Sequence, residues 1–251
     1  MIHLPGLDQF TAKFAQCHTE PLRVTFNLQP NSRIVNYDPI YLDGLLARAV
    51  VEIATEGRLL ADSEDGYWIP LPFKMLWQNE GGFPLWAASV LYPASPTIDD
   101  VYVRHKRNSG GWLHDKPKMQ TRSGPWMERR IPTPTLVCNV FEARCIGNLE
   151  WVQKLCDYFT HIGKLRLGRV VNVLVEPADY TEQDIIKSDD VLIKPIPVLS
   201  KLIPWLQNPS LVGWTPPFWK PSLFAMGWRA GMQVDALLEP DFFADAPTVK
   251  P

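Results

Sequence analysis

Cationic and aromatic side chains are concentrated in one stretch of this sequence, between residues 104 and 130. The stretch holds eight lysines and arginines but only two acidic residues, whereas the rest of the chain holds 17 basic and 25 acidic residues. Lysine and arginine neutralise phosphate groups, and aromatic rings stack on unpaired bases. The segregation predicts a site for single-stranded RNA in this stretch, although the whole chain carries a formal charge of −2.

The predicted contacts in this stretch are its cations and its two tryptophans. They are Arg104, Lys106, Arg107, Trp112, Lys116, Lys118, Arg122, Trp126, Arg129 and Arg130. Three glycines stand among them, which is typical of a loop or a hairpin tip. One alternative stays open, namely a solvated charged loop whose tryptophans pack on the core.

A second basic segment runs from Gly163 to Arg169 and is called the glycine loop here. Glycine lets a backbone approach a phosphate closely, and the neighbouring cations supply charge. The predicted RNA contacts are Gly163, Lys164, Arg166, Gly168 and Arg169. The order of residues is not that of a P-loop. The same spacing also fits a helix C-cap followed by a turn, so the sequence alone leaves two interpretations.

Residues that could do acid–base or metal chemistry occur without supporting spacing. His105 and His114 lie in the basic stretch and could serve a nuclease, but no partner is spaced for this. The adjacent acids at 99–100 and 189–190 are typical of turns or caps. The four cysteines form no C-x-x-C pair and are expected to be small buried apolar residues. The sequence therefore predicts no catalytic residue, no metal site and no cofactor.

The elements that position these segments follow from hydrophobic periodicity. Alternation predicts a strand at 22–28, and apolar residues at helical spacing predict helices at 41–53 and 149–159. Asp38, before Pro39, and Asn148 are the expected N-caps of these helices. Further strands are predicted at 68–77, 85–92, 101–105, 135–141 and 170–175, the last at a central position of the sheet.

This order of elements predicts an α+β fold with a ferredoxin-like, RRM-type βαββαβ core. The core is expected at about 20–177, with a basic inserted thumb at about 104–134. The chain has 24 prolines and 10 tryptophans, many of them near its end, so long regular elements are not expected there. Residues 178–251 are predicted to wrap the core as an extension with a helix near 198–206, and residues 1–251 to form one domain.

Two features bear on where the protein resides. Its N-terminal residues show no basic stretch followed by an apolar run, as a secretory signal would. The sequence also lacks the roughly 18 consecutive apolar residues that a membrane helix needs. We therefore expect a cytoplasmic protein that does not enter a membrane.

Four motifs resemble a known family. Residues 141–150, with a turn at 144–148, and residues 162–169 are similar to the RAMP proteins of CRISPR systems. The family's loop is usually G-K-K-R-S-x-G-x-G; here it is shorter. Residues 38–47 and 214–219 resemble the type IV RAMP subunit, the counterpart of the Cas-five family. The resemblance extends over about residues 22–220.

The resemblance implies a non-catalytic subunit that binds the guide RNA (crRNA) at its 5′ handle. Its implied partners are the backbone RAMP subunits, the large subunit, target DNA within the assembled complex, and a recruited DinG-type helicase, in defence against plasmids and other mobile DNA. Two alternatives remain. One is a Cas-six-like endoribonuclease that processes crRNA and shares the fold and the charge. The other is a structural module whose tail binds a peptide.

Overall fold

The computed structural model describes residues 6–35, 39–56, 68–106, 129–189, 191–197, 210–216, 218 and 223–233. The helices in these ranges are α1 Asp8–Ala15, α2 Leu42–Ala54, α3 Leu149–Cys156 and α4 Glu182–Ile186. The strands are β1 Glu20–Leu28, β2 Arg33–Val35, β3 Ile40–Tyr41, β4 Met75–Gln78, β5 Pro84–Trp86, β6 Val90–Pro93, β7 Ile98–Lys106, β8 Arg129–Val137, β9 Val140–Gly147, β10 His161–Ile162, β11 Gly168–Pro177, β12 Lys187–Ser188, β13 Val191–Leu192, β14 Ile196–Pro197, β15 Ser210–Gly213 and β16 Phe224–Trp228.

The largest sheet has the strand order β10-β11-β1-β9-β6-β3, and its neighbouring strands run antiparallel. Along the chain, α2 lies between β1 and β6, and α3 lies between β9 and β11. If β1, β6, β9 and β11 are numbered 1 to 4 in chain order, their spatial order in the sheet is 4-1-3-2. Each helix therefore joins two strands that are not neighbours in the sheet.

The main core lies between this sheet and the helices. On β1, Leu22, Val24 and Phe26 are fully buried, and the residues between them face the opposite side of the sheet. The apolar stripe of α3 is buried as well, including Val152 and Leu155. The predicted first strand and both predicted helices are confirmed, because a one-sided apolar pattern has to face the core.

Several predicted boundaries are wrong. Helix α2 begins at Leu42 with Tyr41 as its N-cap, so Asp38, which lies outside the described residues, does not cap it. In contrast, the Asn148 Oδ1 accepts a 3.0 Å hydrogen bond from the Trp151 backbone N–H and caps α3 as predicted.

The strand predictions need correction too. The predicted strand at 135–141 is divided between β8 and β9, and the expected turn at 144–148 is mostly part of β9. Most of the predicted strand at 68–77 is irregular, and only its last residues belong to β4. Strand β11 is confirmed, but within the described ranges its neighbour beyond β1 is the two-residue β10. Val171 is 67% exposed, so β11 is not the central strand that its β-branched residues predicted.

A long hairpin is inserted between β6 and β9. Its strands β7 and β8 pair along nine residues each, from Ile98 opposite Val137 to Lys106 opposite Arg129. At the base of the hairpin, β2 pairs with the other side of β8. The hairpin and β2 therefore form a separate sheet in the order β2-β8-β7.

The C-terminal part of the chain builds a second apolar cluster against the core. Trp214 and Trp228 are nearly completely buried, together with Ile185 of α4. They pack with residues from β5 and β9, among them Leu85 and Ile146. The helix predicted near 198–206 lies outside the described residues, while α1 and α4 had no sequence prediction. None of the helices in the described ranges has the length and apolar character needed to cross a membrane.

A buried ion pair connects this C-terminal part to α2. The Lys194 Nζ lies 2.7 Å from the Asp43 Oδ2, and both side chains are 1% exposed. The same Nζ donates to the Ala88 carbonyl at 2.9 Å, and the Gly44 N–H donates to the Asp43 Oδ1 at 2.9 Å. Burial raises the pKa of Asp43, and the charge of Lys194 opposes this shift. Removing either side chain would therefore leave the other as a buried charge without a partner.

We predict that Asp43→Asn alone and Lys194→Met alone each lower the free energy of unfolding by about 3–5 kcal/mol, because each leaves one buried charge without a partner. The double variant should be far less destabilised than the sum of the two. Denaturant unfolding of all four proteins measures this coupling. Arg23→Ala, at the exposed pair with Glu176, is the control and should cost less than about 1 kcal/mol. Additive losses at Asp43 and Lys194 would contradict the prediction.

Candidate nucleic-acid interface

After α3 the chain forms the short strand β10. The glycine loop follows and leads into β11 through one tight turn at Lys164–Arg166. Three of its residues have left-handed backbone conformations, with φ of 75° at Gly163, 63° at Leu165 and 54° at Arg166. Such conformations are costly for residues other than glycine and persist only when the surroundings hold them. Helix α3 ends at Cys156 with Asp157 as its C-cap, and β10 lies between the helix and the loop, so the alternative of a helix C-cap at Gly163 is wrong and the loop is a separate, defined turn.

Contacts with β2 and β1 anchor the loop. The Arg33 N–H donates to the Leu167 carbonyl at 3.4 Å, and the Gln29 N–H donates to the Arg169 carbonyl at 2.8 Å. Gly168 is buried opposite Ile162 in the pairing of β10 with β11. A Cβ on Gly168 would stand 2.8 Å from the Ile162 carbonyl oxygen and still closer to the Ile34 side chain.

The packing around Gly168 gives a structural reason for a glycine at this position. We expected glycine there to admit a phosphate, whereas the structure shows that a side chain would collide with β2 and β10. Gly163 has a different role, since its φ of 75° is a conformation that glycine adopts more easily than other residues do. Gly168 is thus a packing residue, and the loop's cations are the groups that face solvent.

The charged side chains of the glycine loop are exposed. Lys164, Arg166 and Arg169 all lie at the surface. Arg169 stands opposite His161 in the pairing of β10 with β11, so the two residues share one face of the sheet. These cations are the residues that the sequence predicted, now held within a single anchored turn.

Arg166 is linked electrostatically to α2. Glu52 of α2 accepts hydrogen bonds from the Arg48 Nε at 2.7 Å and from the Tyr158 hydroxyl at 2.8 Å. Burial opposes ionisation of Glu52, but these two hydrogen bonds and the charges of Arg48 and Arg166 lower its pKa below the usual value. Two arginines therefore act on one carboxylate.

The inserted hairpin carries the other predicted contacts. Arg104 and Arg130 are exposed, and they lie on opposite faces because Arg104 pairs with Ile131 and Arg130 pairs with His105. Lys106 and Arg129 end the two strands opposite each other. Six predicted contacts lie outside the described residues: Arg107, Trp112, Lys116, Lys118, Arg122 and Trp126.

Strand β2 connects the two basic regions. Its Ile34 packs on Gly168, and its backbone pairs with β8 at Thr135–Val137. The Arg33 Nε also donates to the Asp100 Oδ2 of β7 at 2.8 Å and holds the pKa of that carboxyl below its usual value. Arg130 stands five residues away from Thr135 along β8, or about 17 Å. The structure thus connects the glycine loop to the hairpin through β2, and Arg130 lies well beyond the part of β8 that β2 contacts.

The sequence missed three of these site features. Strand β2 has only three residues, too few for alternation to show. Arg48 and Glu52 are recognisable as an i, i+4 pair on the predicted helix, which was the one available signal. Their connection to Tyr158 and Arg166 depends on the packing of α2 against α3.

Metal-ligating side chains are scattered in the part of the chain that the structure describes. Within the described ranges, no three His, Cys, Asp or Glu side chains come together in a possible metal site. His161 Nδ1 lies 3.0 Å from the Thr160 hydroxyl. Asp100 of the acidic pair at 99–100 is bound to Arg33. His114 lies outside the described residues.

The protein was also compared with known proteins. No protein-family model matches the chain, and no curated protein matches it. The resemblance to the RAMP proteins therefore stays a prediction that rests on the motifs and on the arrangement of the loop.

We predict that Gly168→Ala lowers the free energy of unfolding by about 1–3 kcal/mol, because the added Cβ overpacks the contact with β2. Ile34→Val, which removes the closest atom, should recover part of this loss in the double variant. Gly81→Ala is the control and should have little effect, since its nearest neighbour would be 3.4 Å away. Thermal and denaturant unfolding measure all four variants. A fully stable Gly168→Ala would show that the contact is not tight.

Proposed function

We propose that this protein is a non-catalytic subunit that binds the guide RNA of a type IV CRISPR effector complex. The observation that carries the proposal is the glycine loop, which presents exposed Lys164, Arg166 and Arg169 from a turn anchored on both sides. A loop that is already ordered loses little conformational entropy on binding, so its cations can contact phosphates at low cost.

The proposed core is ferredoxin-like. The strand order β11-β1-β9-β6, all antiparallel, and the positions of α2 and α3 support it. In this arrangement the glycine loop enters the fourth core strand, and the hairpin of β7 and β8 is inserted between the second and third. The hairpin corresponds to the proposed thumb. Residues 178–251 correspond to the wrapping extension.

The proposed RNA site has two parts. The glycine loop contacts the RNA backbone near the 5′ handle through its three cations. The hairpin carries the basic positions Arg104, Lys106, Arg129 and Arg130, and the basic stretch continues through residues 107–128. Phosphate contacts of this kind would give strongly salt-dependent affinity.

The proposed partners follow from the same resemblance. They are the guide RNA, the backbone RAMP subunits, the large subunit, target DNA within the complex and a DinG-type helicase that the complex recruits. The complex would act in the cytoplasm against plasmids and other mobile DNA.

We predict that Lys164→Glu with Arg166→Glu releases guide RNA while unfolding near the wild-type temperature, because both side chains are exposed. Lys13→Glu with Arg229→Glu is the control, since it changes the net charge equally at two exposed residues outside the proposed site. Filter binding to a repeat-derived RNA measures affinity for all three proteins. Equal affinity in the loop variant and the control would contradict the loop's role.

We predict that replacing Arg104, Lys106 and Arg107 with alanine weakens RNA binding and makes its salt dependence shallower. Each lost phosphate contact should reduce the log–log slope by about 0.7 for single-stranded RNA. Titrations at several salt concentrations measure both quantities. An unchanged affinity and slope would contradict an RNA site in the basic stretch and would favour the solvated charged loop.

We predict that the purified protein does not cut repeat RNA, with or without divalent metal. Labelled RNA and denaturing gels test this, with His105→Ala, His114→Ala and His161→Ala run beside the wild type. Site-specific cleavage that is lost in one of these variants would instead support the Cas-six-like endoribonuclease. Variants at His105, His114 and His161 should retain RNA affinity.

A further inference from the structure

Strand β7 forms the outer edge of the β2-β8-β7 sheet. In the ranges that the structure describes, no strand pairs with its outward side, and the side chains of Val101 and Val103 are 53% and 42% exposed. Unlike β8, which contains Pro132 and Pro134, β7 contains no proline. Proteins commonly protect an edge strand with proline or lysine, because an unprotected edge pairs with another strand. Charged residues such as Asp100 and Arg104 are the protection that β7 has, and they keep strands of unmatched charge from pairing with it.

The register with β8 shows which backbone groups of β7 face outward. Val101 stands opposite Pro134, and Val103 stands opposite Pro132. Proline has no N–H to donate, so these are the positions at which β7 and β8 exchange no hydrogen bonds. The N–H and C=O groups of Val101 and Val103 therefore point away from β8. In the single chain, the Val101 N–H donates to the Asp100 Oδ1 at 2.8 Å.

The sequence of β7 complements itself when it is read in the opposite direction. About a centre at Tyr102, Asp100 falls opposite Arg104, and Val101 falls opposite Val103. An acidic residue thus meets a basic one, and an apolar residue meets an apolar one. The same centre places Ile98 opposite Lys106, so all nine residues of β7 are used.

We propose that β7 pairs antiparallel with β7 of a second copy of this chain, centred on Tyr102. The outward N–H and C=O groups of Val101 and Val103 then bond to one another across the two-fold axis. Asp100 and Arg104 meet at a position without backbone hydrogen bonds, where opposing side chains come closest. The two three-stranded sheets join into one of six strands.

The charges around Asp100 favour this pairing over a single chain with its edge open. Asp100 already accepts a 2.8 Å hydrogen bond from Arg33 across the sheet. When the second strand arrives, the Val101 N–H bonds to the second copy and the Asp100 carboxylate turns to that copy's Arg104. The carboxylate then lies between two arginines, and an isologous interface contains this arrangement twice. This association does not depend on the proposed RNA binding.

Charge reversal provides the test. The nucleic-acid-free wild type should sediment at twice the 28.6-kDa mass of one chain. Asp100→Arg alone and Arg104→Asp alone should each sediment at the single-chain mass, because like charges then face each other at both ends. An equimolar mixture of these two variants should return to the doubled mass. In a mixed pair, the arginine introduced at position 100 of one copy faces the aspartate introduced at position 104 of the other, and the native Arg104 faces the native Asp100.

Two further variants separate strand pairing from other causes. Val101→Pro removes an outward N–H without affecting the hydrogen bonds to β8, and it should give single chains. Arg33→Ala removes the bridge within the chain but leaves the edge intact, and it should stay doubled. Wild-type protein that sediments as a single chain, doubling that nuclease abolishes, or a mixture that stays single would each overturn the proposal.

Discussion

The ion pair of Lys194 and Asp43 is the contact on which the rest of the structure depends. Removing two charges from water costs several kcal/mol per ion, and only close pairing with further hydrogen bonds offsets that cost. Here the carboxylate belongs to α2 and the ammonium to the segment between β13 and β14, which also reaches the Ala88 carbonyl. A core without the C-terminal part would bury an unpaired carboxylate. The extension is therefore a component of the core, and the stacked rings of Tyr41 and Phe218, 4.3 Å apart, add a second contact at the same end of α2.

Strand β2 has a comparable role for the proposed RNA site. It occupies the space that a side chain at residue 168 would need, and it is also hydrogen-bonded to the base of the hairpin. Strand β2 therefore contacts both the glycine loop and the hairpin, although residues 129–137 and 163–169 lie apart in the sequence. Pairing of β7 with a second copy would extend the same sheet at its far edge, about two strands away from the loop.

Prediction from the sequence succeeded where the information is local. Alternation identified β1, helical spacing identified α2 and α3, and the short side chain of Asn148 identified a cap. Prediction failed where the role of a residue depends on a partner that is distant in the sequence. Lys194 stands among prolines and isoleucines, and its partner is 151 residues away. The first six residues of β8 were not predicted as a strand, yet the missing N–H groups of Pro132 and Pro134 lie where β7 and β8 need no hydrogen bond. The sequence shows a glycine at 168, but it does not show that Ile34 packs against this residue.

The aromatic residues of the C-terminal part show which surfaces remain for a ligand. A tail that bound a peptide through its tryptophans would have to expose them, as interfaces use such rings as anchors. Trp214 is 3% exposed and Trp228 is 1% exposed, and Trp214 packs on Trp77 with ring centroids 5.5 Å apart. In the part of the extension that the structure describes, both tryptophans are therefore used to fill the second apolar cluster. This packing argues against a peptide site built on these two rings, and the exposed cations of the glycine loop remain the groups on which the proposed contact with RNA rests.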